Sequence, residues 1–365
     1  MIVKDVIDHL DDFSPLCYAE EFDNVGLIIG DYNQKVKGIL VTLDSTEIVI
    51  EEAIKRKCNL IVSFHPIIFN DLKSINNKNY VDRAINKAIK NDIAIVAIHT
   101  ALDNSINGVN STICKRIGII NNKILIPKEK TIKKLTTYIP QENADRLKSE
   151  IFKIGGGSIG KYDNCSFSYD GLGTFKGNKN SNPKIGKKLK MSEVKEICVN
   201  ITFLKHLEQR IINVLKDVHP YEEIAYEIVT LDNYNQNIGM GMIGDLKEVM
   251  DEDKFLIFLK KKMKSGHIRH SKKLGKKIKK VAVLGGSGSF AIENAIKSGA
   301  DAYITSDLKY HDYFKAENKV LLVDIGHYES EQYTKKLMFD ILTKKIPNFA
   351  IILSKTNTNP IKYIR

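Results

Sequence analysis

The chain lacks the features that would place it in a membrane or outside the cell. It has no apolar run near the roughly 18 residues that span a bilayer. The first residues, MIVKDVIDHLDDFSP, include acidic side chains where a secretory signal needs an unbroken apolar stretch. The five cysteines are odd in number and include no C-x-x-C pair, which disfavours a disulfide framework. We therefore expect a cytoplasmic protein with reduced thiols and no membrane partner.

The composition is that of a globular protein. Apolar residues make up 43% of the chain and charged residues 27%, which excludes a disordered, collagen-like or coiled-coil protein. A length of 365 residues predicts two to three domains, at roughly 150 residues per domain. The net charge of +12 raises the expectation of an anionic partner, either a nucleotide or a nucleic acid, without choosing between them.

The most basic segment is KKKMKSGHIRHSKKLGKKIKK, residues 260–280. Such a run can bind nucleic acid through phosphate contacts. It contains no aromatic side chains on which bases could stack, however, so a solvated basic loop is the better prediction and nucleic-acid binding is not favoured.

Both ends of the chain alternate short apolar runs with helical apolar stripes. This pattern predicts largely parallel sheets covered by helices on both faces. The ends also resemble each other, because residues 51–65 align with 293–307 without a gap. Residues 94–103 align with 321–331 when His99 is set on His327, which places Asp103 on Glu331. We predict an internal duplication of an α/β unit, with chance similarity of two such units as the alternative.

The middle of the chain has a different pattern. Residues 126–235 predict the order strand, helix, strand, strand, helix, strand, which indicates a small α+β module with antiparallel strands. The predicted fold class is therefore α/β, with two pseudo-repeated α/β halves (residues 1–125 and 236–365) forming one domain. The α+β module, residues 126–235, is inserted between them.

Polar, ligand-capable side chains follow the predicted strands of both halves. In open parallel sheets such positions gather at the carboxyl edge, where ligands bind. The set His65, Asp103, His327 and Glu331 offers nitrogen and oxygen donors without sulfur, which suits Zn, Mn, Fe or Ni. His327 and Glu331, four residues apart, share one face of a helix that has begun there. We predict a metal site, and the alternative is that these histidines are hydrogen-bonded structural residues.

Three further groups are candidates for substrate contacts. The turn Gly285, Gly286, Ser287, Gly288 follows a predicted strand and can hold a phosphate on its backbone N–H groups, or can simply be a tight turn. Asp307 and His311 are candidate catalytic groups that exchange protons with a substrate, or support other residues of the site. The alternative is that Asp307 and His311 are only neighbouring side chains on the surface of a helix, without a role in the site.

At these residues the chain resembles the Nif-three-like (Ngg-one-interacting factor three) family of dinuclear-metal proteins, also described as GTP cyclohydrolase I type 2 homologues. The matching segments occur in order along nearly the whole chain: FDNVGLIIGD (22–31), SFHPIIF (63–69), HTALDN (99–104), GMGMIGDL (239–246), LGGSGS (284–289), ITSDLKYHDYFKA (304–316) and DIGHYESE (324–331). The insert resembles the PII/CutA-like domain of longer bacterial members, through GGGSIGKYDNCSFSYDGLGTF (155–175) and HPYEEIAYEI (219–228).

The resemblance implies a homohexamer, a trimer of dimers, with paired metals facing an internal cavity. It also implies that His65 and Asp103 hold one ion, that His327 holds the other, and that Glu331 bridges both. The family has a second histidine just before His65, but this chain has Phe64, which cannot coordinate a metal. His99 is the preferred substitute, and a supporting hydrogen bond to a ligand is its alternative role. We therefore expect one or two divalent ions per chain.

These expectations lead to two functional hypotheses. The first is a metal-dependent hydrolase acting on a nucleotide or a related phosphorylated small molecule, and the resemblance implies GTP cyclohydrolase chemistry. The second is a non-catalytic metal-binding or regulatory hexameric scaffold whose PII-like insert senses a ligand. Phe64 favours the scaffold hypothesis. Hydrolysis with two metals needs both ions, and Phe64 removes a ligand from the second metal site.

Overall fold

A computed structural model describes residues 1–364, which form two compact units. The main unit contains residues 1–127 and those from 236 onward, and the middle unit contains residues 128–235. None of the helices in the described part of the chain is long and apolar enough to cross a membrane.

The first sheet of the main unit has five strands in the spatial order β1-β4-β3-β2-β15. Numbered in chain order, they are β1 (Gly26–Ile29), β2 (Ile39–Thr42), β3 (Leu60–Ser63), β4 (Ala94–Ala97) and β15 (Ile351–Leu353). Only β1 is antiparallel to its neighbour. Every residue of β2, β3 and β4 is buried, as expected for parallel strands covered on both faces.

The second sheet has six strands in the order β11-β14-β13-β12-β10-β5. They are β5 (Ile119–Pro127), β10 (Gly239–Asp251), β11 (Arg269–His270), β12 (Lys277–Ser287), β13 (Ala302–Ser306) and β14 (Leu321–Asp324). The strands β12, β13 and β14 are parallel, and the others are antiparallel to their neighbours. The part β1-β4-β3-β2 of the first sheet and the part β11-β14-β13-β12 of the second have the same order, one antiparallel strand followed by three parallel strands. The first sheet adds the parallel strand β15, and the second adds the antiparallel strands β10 and β5. Such a shared order is what a duplication would leave, and the duplication itself stays a prediction.

In the part of the main unit that the structure describes, nine α-helices cover these sheets: α1 (Val3–Phe13), α2 (Glu47–Lys55), α3 (Tyr80–Lys90), α4 (His99–Asp103), α5 (Val109–Ile117), α8 (Glu252–Met263), α9 (Ile292–Lys297), α10 (His327–Glu331) and α11 (Thr334–Lys345). Residues at the helix ends explain where some of these helices begin and end. The Asn79 side chain, for example, accepts the Asp82 N–H at the start of α3. Gly118, with φ 75°, ends α5 in the left-handed conformation that favours glycine.

A single hydrophobic cluster connects one face of each sheet. It contains Val41, Val62 and Val96 from the first sheet together with Val283, Ile304 and Val323 from the second, and it includes apolar residues of α1, α5, α8 and α11. The alternate residues of each sheet pack on α2 and α3 or on α9 instead. This shared core fixes the two sheets relative to each other, and so fixes the relative positions of the residues that follow their strands.

The middle unit is a four-stranded antiparallel sheet with helices on one face. Its strands, in the spatial order β7-β8-β6-β9, are β6 (Ile132–Pro140), β7 (Phe167–Lys176), β8 (Met191–Leu204) and β9 (Tyr226–Leu231), and its helices are α6 (Gln141–Lys153) and α7 (Glu208–Val218). Leu135, Ile139 and Ile201 pack against Leu147 and Ile211 of the helices. The mixed α/β prediction is confirmed for the molecule, and the PII/CutA-like character of this unit stays a prediction.

The lysine-rich run of residues 260–280 differs from the solvated loop that the sequence predicts. It contains the end of α8, all of β11 and the start of β12, and only residues 264–268 and 271–276 between them lie outside helices and strands. Its ten lysines are all exposed, and those in the last turn of α8 complement the negative end of that helix. The regular structure follows from the buried residues between the lysines, since Met263 and Ile278 belong to the shared core.

Candidate metal centre

The candidate ligands come from three strand ends in both sheets. Phe64 and His65 directly follow β3, and α4, which begins at His99 and ends at Asp103, follows β4. The helix α10 begins at His327 and ends at Glu331, after β14 of the second sheet. As predicted from their spacing, His327 and Glu331 therefore lie one helical turn apart.

Three of the predicted ligands converge on one point. The Nε2 atoms of His65 and of His327 each lie 3.1 Å from the same oxygen, Oε2 of Glu331. Ligand atoms of all three residues lie within 4.8 Å of one another. Glu331 is buried, and its Oε2 makes no hydrogen bond of acceptable geometry. Because an unsatisfied buried carboxylate oxygen is costly, this arrangement calls for a positive charge at that point.

Carboxylates behind the two imidazoles orient them toward Glu331. His65 Nδ1 lies 2.8 Å from Asp44 Oδ1, and His327 Nδ1 lies 2.6 Å from Asp307 Oδ2. A carboxylate partner keeps the proton of a neutral imidazole on Nδ1, so the Nε2 lone pair is free to coordinate a metal. The set of two imidazoles and a carboxylate therefore fits a divalent ion of the Zn, Mn, Fe or Ni type.

Asp103 lies at the same cavity but outside the three-residue cluster. The residue is half-buried, and its buried Oδ1 atom has no hydrogen-bond partner. Burial, together with the nearby charge of Glu331, raises the pKa of Asp103 well above its ordinary value. A second carboxyl beside Glu331, with one buried oxygen, strengthens the case for a cation, since a cation lowers the cost of keeping both carboxyls ionised.

Without an ion, the imidazoles hold protons tightly. Burial by itself lowers the pKa of His65, but the charges of Glu331 and Asp44 outweigh it and raise the pKa to about 10. Burial is likewise outweighed at His327, where Glu331 and Asp307 raise the pKa to about 11. Burial by itself raises the pKa of the Glu331 carboxyl, but the same two imidazoles outweigh it and lower that pKa. Two protons thus replace the cation in the ion-free protein.

We expect ion binding to depend on pH, because the ion must displace these protons. The affinity for Zn²⁺ should rise between pH 6 and pH 8, about tenfold per pH unit for each proton released. Conversely, the folding stability that the ion-free protein gains from the two imidazoliums is complete below pH 6.5 and is lost as pH rises through about 10 to 11. Calorimetric titration in buffers of different ionisation enthalpy counts the protons, and an affinity independent of pH would contradict this assignment.

His99 and Phe64 lie beside the cluster. His99 Nδ1 lies 2.7 Å from Asp23 Oδ1, and the His99 ring centroid lies 5.2 Å from that of His65. Burial alone raises the pKa of Asp23, but hydrogen bonds from His99 and Thr100 outweigh it and lower the pKa. Phe64 is fully buried, with its ring 4.9 Å from His65 and 5.4 Å from His99. His99 is outside the group of converging ligand atoms, and its role as a ligand stays a prediction.

The glycine-rich turn makes room for Glu331. A Cβ at Gly286, where φ is +73°, would lie 2.4 Å from Glu331 Oε1. The Gly285 N–H donates to Asn110 Oδ1, and the Gly286 N–H donates to Ser330 Oγ, each at 2.9 Å. Two of the N–H groups predicted to hold a phosphate are therefore already engaged. Phosphate binding at this turn stays a prediction.

The two residues predicted as catalytic differ in their placement. Asp307 lies behind His327 and orients its ring through the hydrogen bond at Nδ1. His311 is exposed on the 3-10 segment Tyr310–Ala316, where its ring contacts Tyr310 and Phe314, and it does not line the cavity beside the metal ligands. The sequence did not identify the hydrogen-bonding roles of Asp23 and Asp44, although the position of Asp44 after β2 is the same signal that marked His65.

Replacing Asp307 by alanine should lower the affinity for Zn²⁺ about 10–100-fold, the range typical of carboxylates that support a ligating histidine. The cause is the loss of the partner that keeps the His327 proton on Nδ1. Calorimetric titration measures the affinity, and Asp340→Ala, at an exposed aspartate of α11, is the control. An unchanged affinity in Asp307→Ala would mean that His327 needs no such orientation.

The cluster lies in the wall of a cavity of 790 Å³. His65, His99, Asp103, His327 and Glu331 all line it, together with an aromatic set: Phe22, Phe69, Tyr80 and Phe290. Within residues 1–364, no lysine or arginine lines this cavity. Its surface therefore suits a flat ring better than a polyphosphate, unless an ion supplies the positive charge.

The family model described as Duf34/NIF3 (NGG1p interacting factor 3) matches residues 1–360. The chain belongs to the Duf34/NIF3 family, which confirms the resemblance predicted from the sequence. It is 35% identical to a Bacillus subtilis protein named "GTP cyclohydrolase 1 type 2 homolog", covering 99% of this chain and 98% of that protein. It is 33% identical to a Staphylococcus aureus protein of the same name, with 100% of both chains covered.

Solved structures of Duf34/NIF3 relatives have the same fold. The crystal structure of a Bacillus cereus protein related to NIF3 matches with a TM-score of 0.85 and 34% identity, covering 100% of this chain and 99% of that one. A Staphylococcus aureus crystal structure matches with a TM-score of 0.78 and 30% identity over the same shares of each chain. The residues of both units thus have counterparts within each of these two chains.

Proposed function

We propose that this protein is a metal-dependent hydrolase acting on a nucleotide or a related phosphorylated small molecule, with chemistry like that of GTP cyclohydrolase I type 2. The observation that carries the proposal is the convergence of His65, His327 and Glu331 on one point in the wall of a 790 Å³ cavity. The names of the B. subtilis and S. aureus relatives support the substrate class.

Each side chain at the site has a role in this proposal. His65, His327 and Glu331 hold the ion, Asp44 and Asp307 orient the two imidazoles, and a bound divalent ion supplies Lewis acidity toward the substrate. Asp103, whose buried Oδ1 has no hydrogen-bond partner and whose pKa is raised by burial, can hold a proton at that oxygen. The aromatic side chains of the cavity exclude water and can stack on a heterocyclic ring.

Turnover of GTP tests the proposal directly. Protein loaded with Zn²⁺ or with Mn²⁺ should release formate or phosphate from GTP, and His327→Ala should lower the rate about 100-fold or more, because several kcal/mol of charge stabilisation are lost. The control is His267→Ala, at an exposed histidine that does not line the cavity. Fully loaded protein without turnover of GTP or other nucleotides would contradict the hydrolase proposal.

The alternative proposal is a non-catalytic metal-binding or regulatory scaffold. The observation in its favour is that the cavity wall described above offers no lysine or arginine to a phosphate. We also propose the homohexamer, a trimer of dimers, for either function. In such an assembly a neighbouring subunit can supply the positive charge that this chain's cavity wall lacks. Light scattering of the purified protein measures the number of subunits.

A further inference from the structure

We infer that this chain binds a single divalent ion, held by His65, His327 and Glu331, and that Phe64 is the reason no second ion is held. The inference rests on the proposed metal centre and concerns how many ions it holds. It departs from the paired metals that the family resemblance implies, and it is argued from the ligand geometry of this chain.

The two imidazoles face the same oxygen atom. Both Nε2 atoms approach Oε2 of Glu331, each at 3.1 Å. Ligands about 2.0–2.2 Å from one zinc-type ion lie about 3.0–3.5 Å apart, so this separation fits neighbouring ligands of a single ion. Two bridged ions stand about 3.5–4 Å apart, which favours one imidazole near each carboxylate oxygen. The spacing observed for His65 and His327 is therefore that of one coordination sphere.

A second ion would lack a third protein ligand. Among residues 1–364, His65, His327 and Glu331 form the one group of three His, Cys, Asp or Glu side chains whose ligand atoms lie within 4.8 Å of one another. Asp103 offers an unpartnered oxygen beside this group. Asp23 holds His99 at Nδ1 as Asp44 and Asp307 hold the two ligating imidazoles, but in the described residues His99 and Asp103 belong to no such group of three. Asp103 and a shared Glu331 alone make a poor site for a zinc-type ion.

Phe64 occupies the position from which the missing ligand would come. Its ring packs between the shared core of the two sheets and the rings of His65 and His99, and it is not exposed to solvent. A phenyl ring has no lone pair to donate, so residue 64 offers no ligand to a second ion. The side chain at residue 64 thus packs in the core and provides no ligand for a second metal ion.

Counting ions in the full-length protein tests the inference. After removal of metals with a chelator, the protein is titrated with Zn²⁺ alone by calorimetry, and the zinc retained after desalting is measured by mass spectrometry. We expect one tight ion per chain in the natural protein and in Phe64→Leu, which keeps the residue apolar, and two in Phe64→His. A Phe64→His protein that folds and still holds one ion would overturn the role given to Phe64.

A measurement on the natural protein keeps the stoichiometry testable if Phe64→His does not fold. Protein saturated with Mn²⁺ should give the six-line paramagnetic resonance spectrum of an isolated ion. Two tight ions per chain, or the spectrum of a coupled manganese pair, would overturn the single-ion inference while leaving the metal centre in place. Absence of any tight ion would remove the metal centre and with it the proposed function, which is a different result.

Discussion

Replacing Glu331 by glutamine should lower the affinity for Zn²⁺ by more than about 100-fold, beyond the loss typical when only a supporting residue is removed. Glutamine keeps the shape of the side chain but removes the charge that both imidazoles face at 3.1 Å. Its amide also places either a weaker ligand oxygen or an NH₂ group at the point where the ion binds. Calorimetric titration and the zinc content after desalting measure the loss.

A matched control separates this effect from a general change in charge. Glu293 is an exposed glutamate of α9, and Glu293→Gln should bind Zn²⁺ as the natural protein does. The thermal unfolding midpoint of ion-free Glu331→Gln shows whether the fold is intact. A folded Glu331→Gln protein with natural affinity would contradict the coordination by Glu331, on which the functional proposals depend.

Gly286→Ala should damage both the stability and the metal site. The backbone at Gly286 has φ +73°, which costs an alanine roughly 1–2 kcal/mol of folding free energy. The new Cβ would also lie 2.4 Å from Glu331 Oε1, so the carboxylate must move away from His65 and His327. We expect a lower unfolding free energy together with a loss in Zn²⁺ affinity of about 10–100-fold, comparable to the loss of a supporting contact.

The chain contains a control with the same backbone conformation. Gly299 also has φ +73°, but a Cβ there would meet nothing within 4 Å. Gly299→Ala should therefore cost a similar amount of stability, measured by chemical denaturation, and leave the Zn²⁺ affinity unchanged. Equal Zn²⁺ affinities in Gly286→Ala and Gly299→Ala would show that Gly286 is needed only for the backbone conformation of the turn. It would then have no effect on where the Glu331 carboxylate lies.

Local patterns predicted much of the secondary structure. The apolar runs became β2, β3, β4, β13 and β14, because strands buried on both faces need apolar residues at every position. The antiparallel strands β5 and β10 were not predicted. Their pairing joins residues 119–127 to 239–251, and partners more than 100 residues apart leave no periodic signal in either segment.

The candidate ligands were found from the sequence because they follow strand ends, and strand ends of a parallel sheet lie at one edge. Their chemistry also follows from residue type, since imidazoles and carboxylates favour a zinc-type ion whatever the fold. The sequence allowed a supporting role for Asp307 but did not reveal that His327 is the residue it supports, nor that Gly286 leaves space for Glu331. Both facts depend on the direction of side chains that are far apart along the chain.

The sequence alone determined the family, the alternation of strands and helices, and the types of atom available to a metal. The tertiary structure decided that His65 of one sheet and His327 of the other approach the same Glu331 oxygen while Asp103 and His99 remain outside that group. The physical reason is distance. Periodicity reports which face of an element is buried, whereas coordination requires atoms placed within tenths of an ångström, and only the shared core between the two sheets fixes that placement.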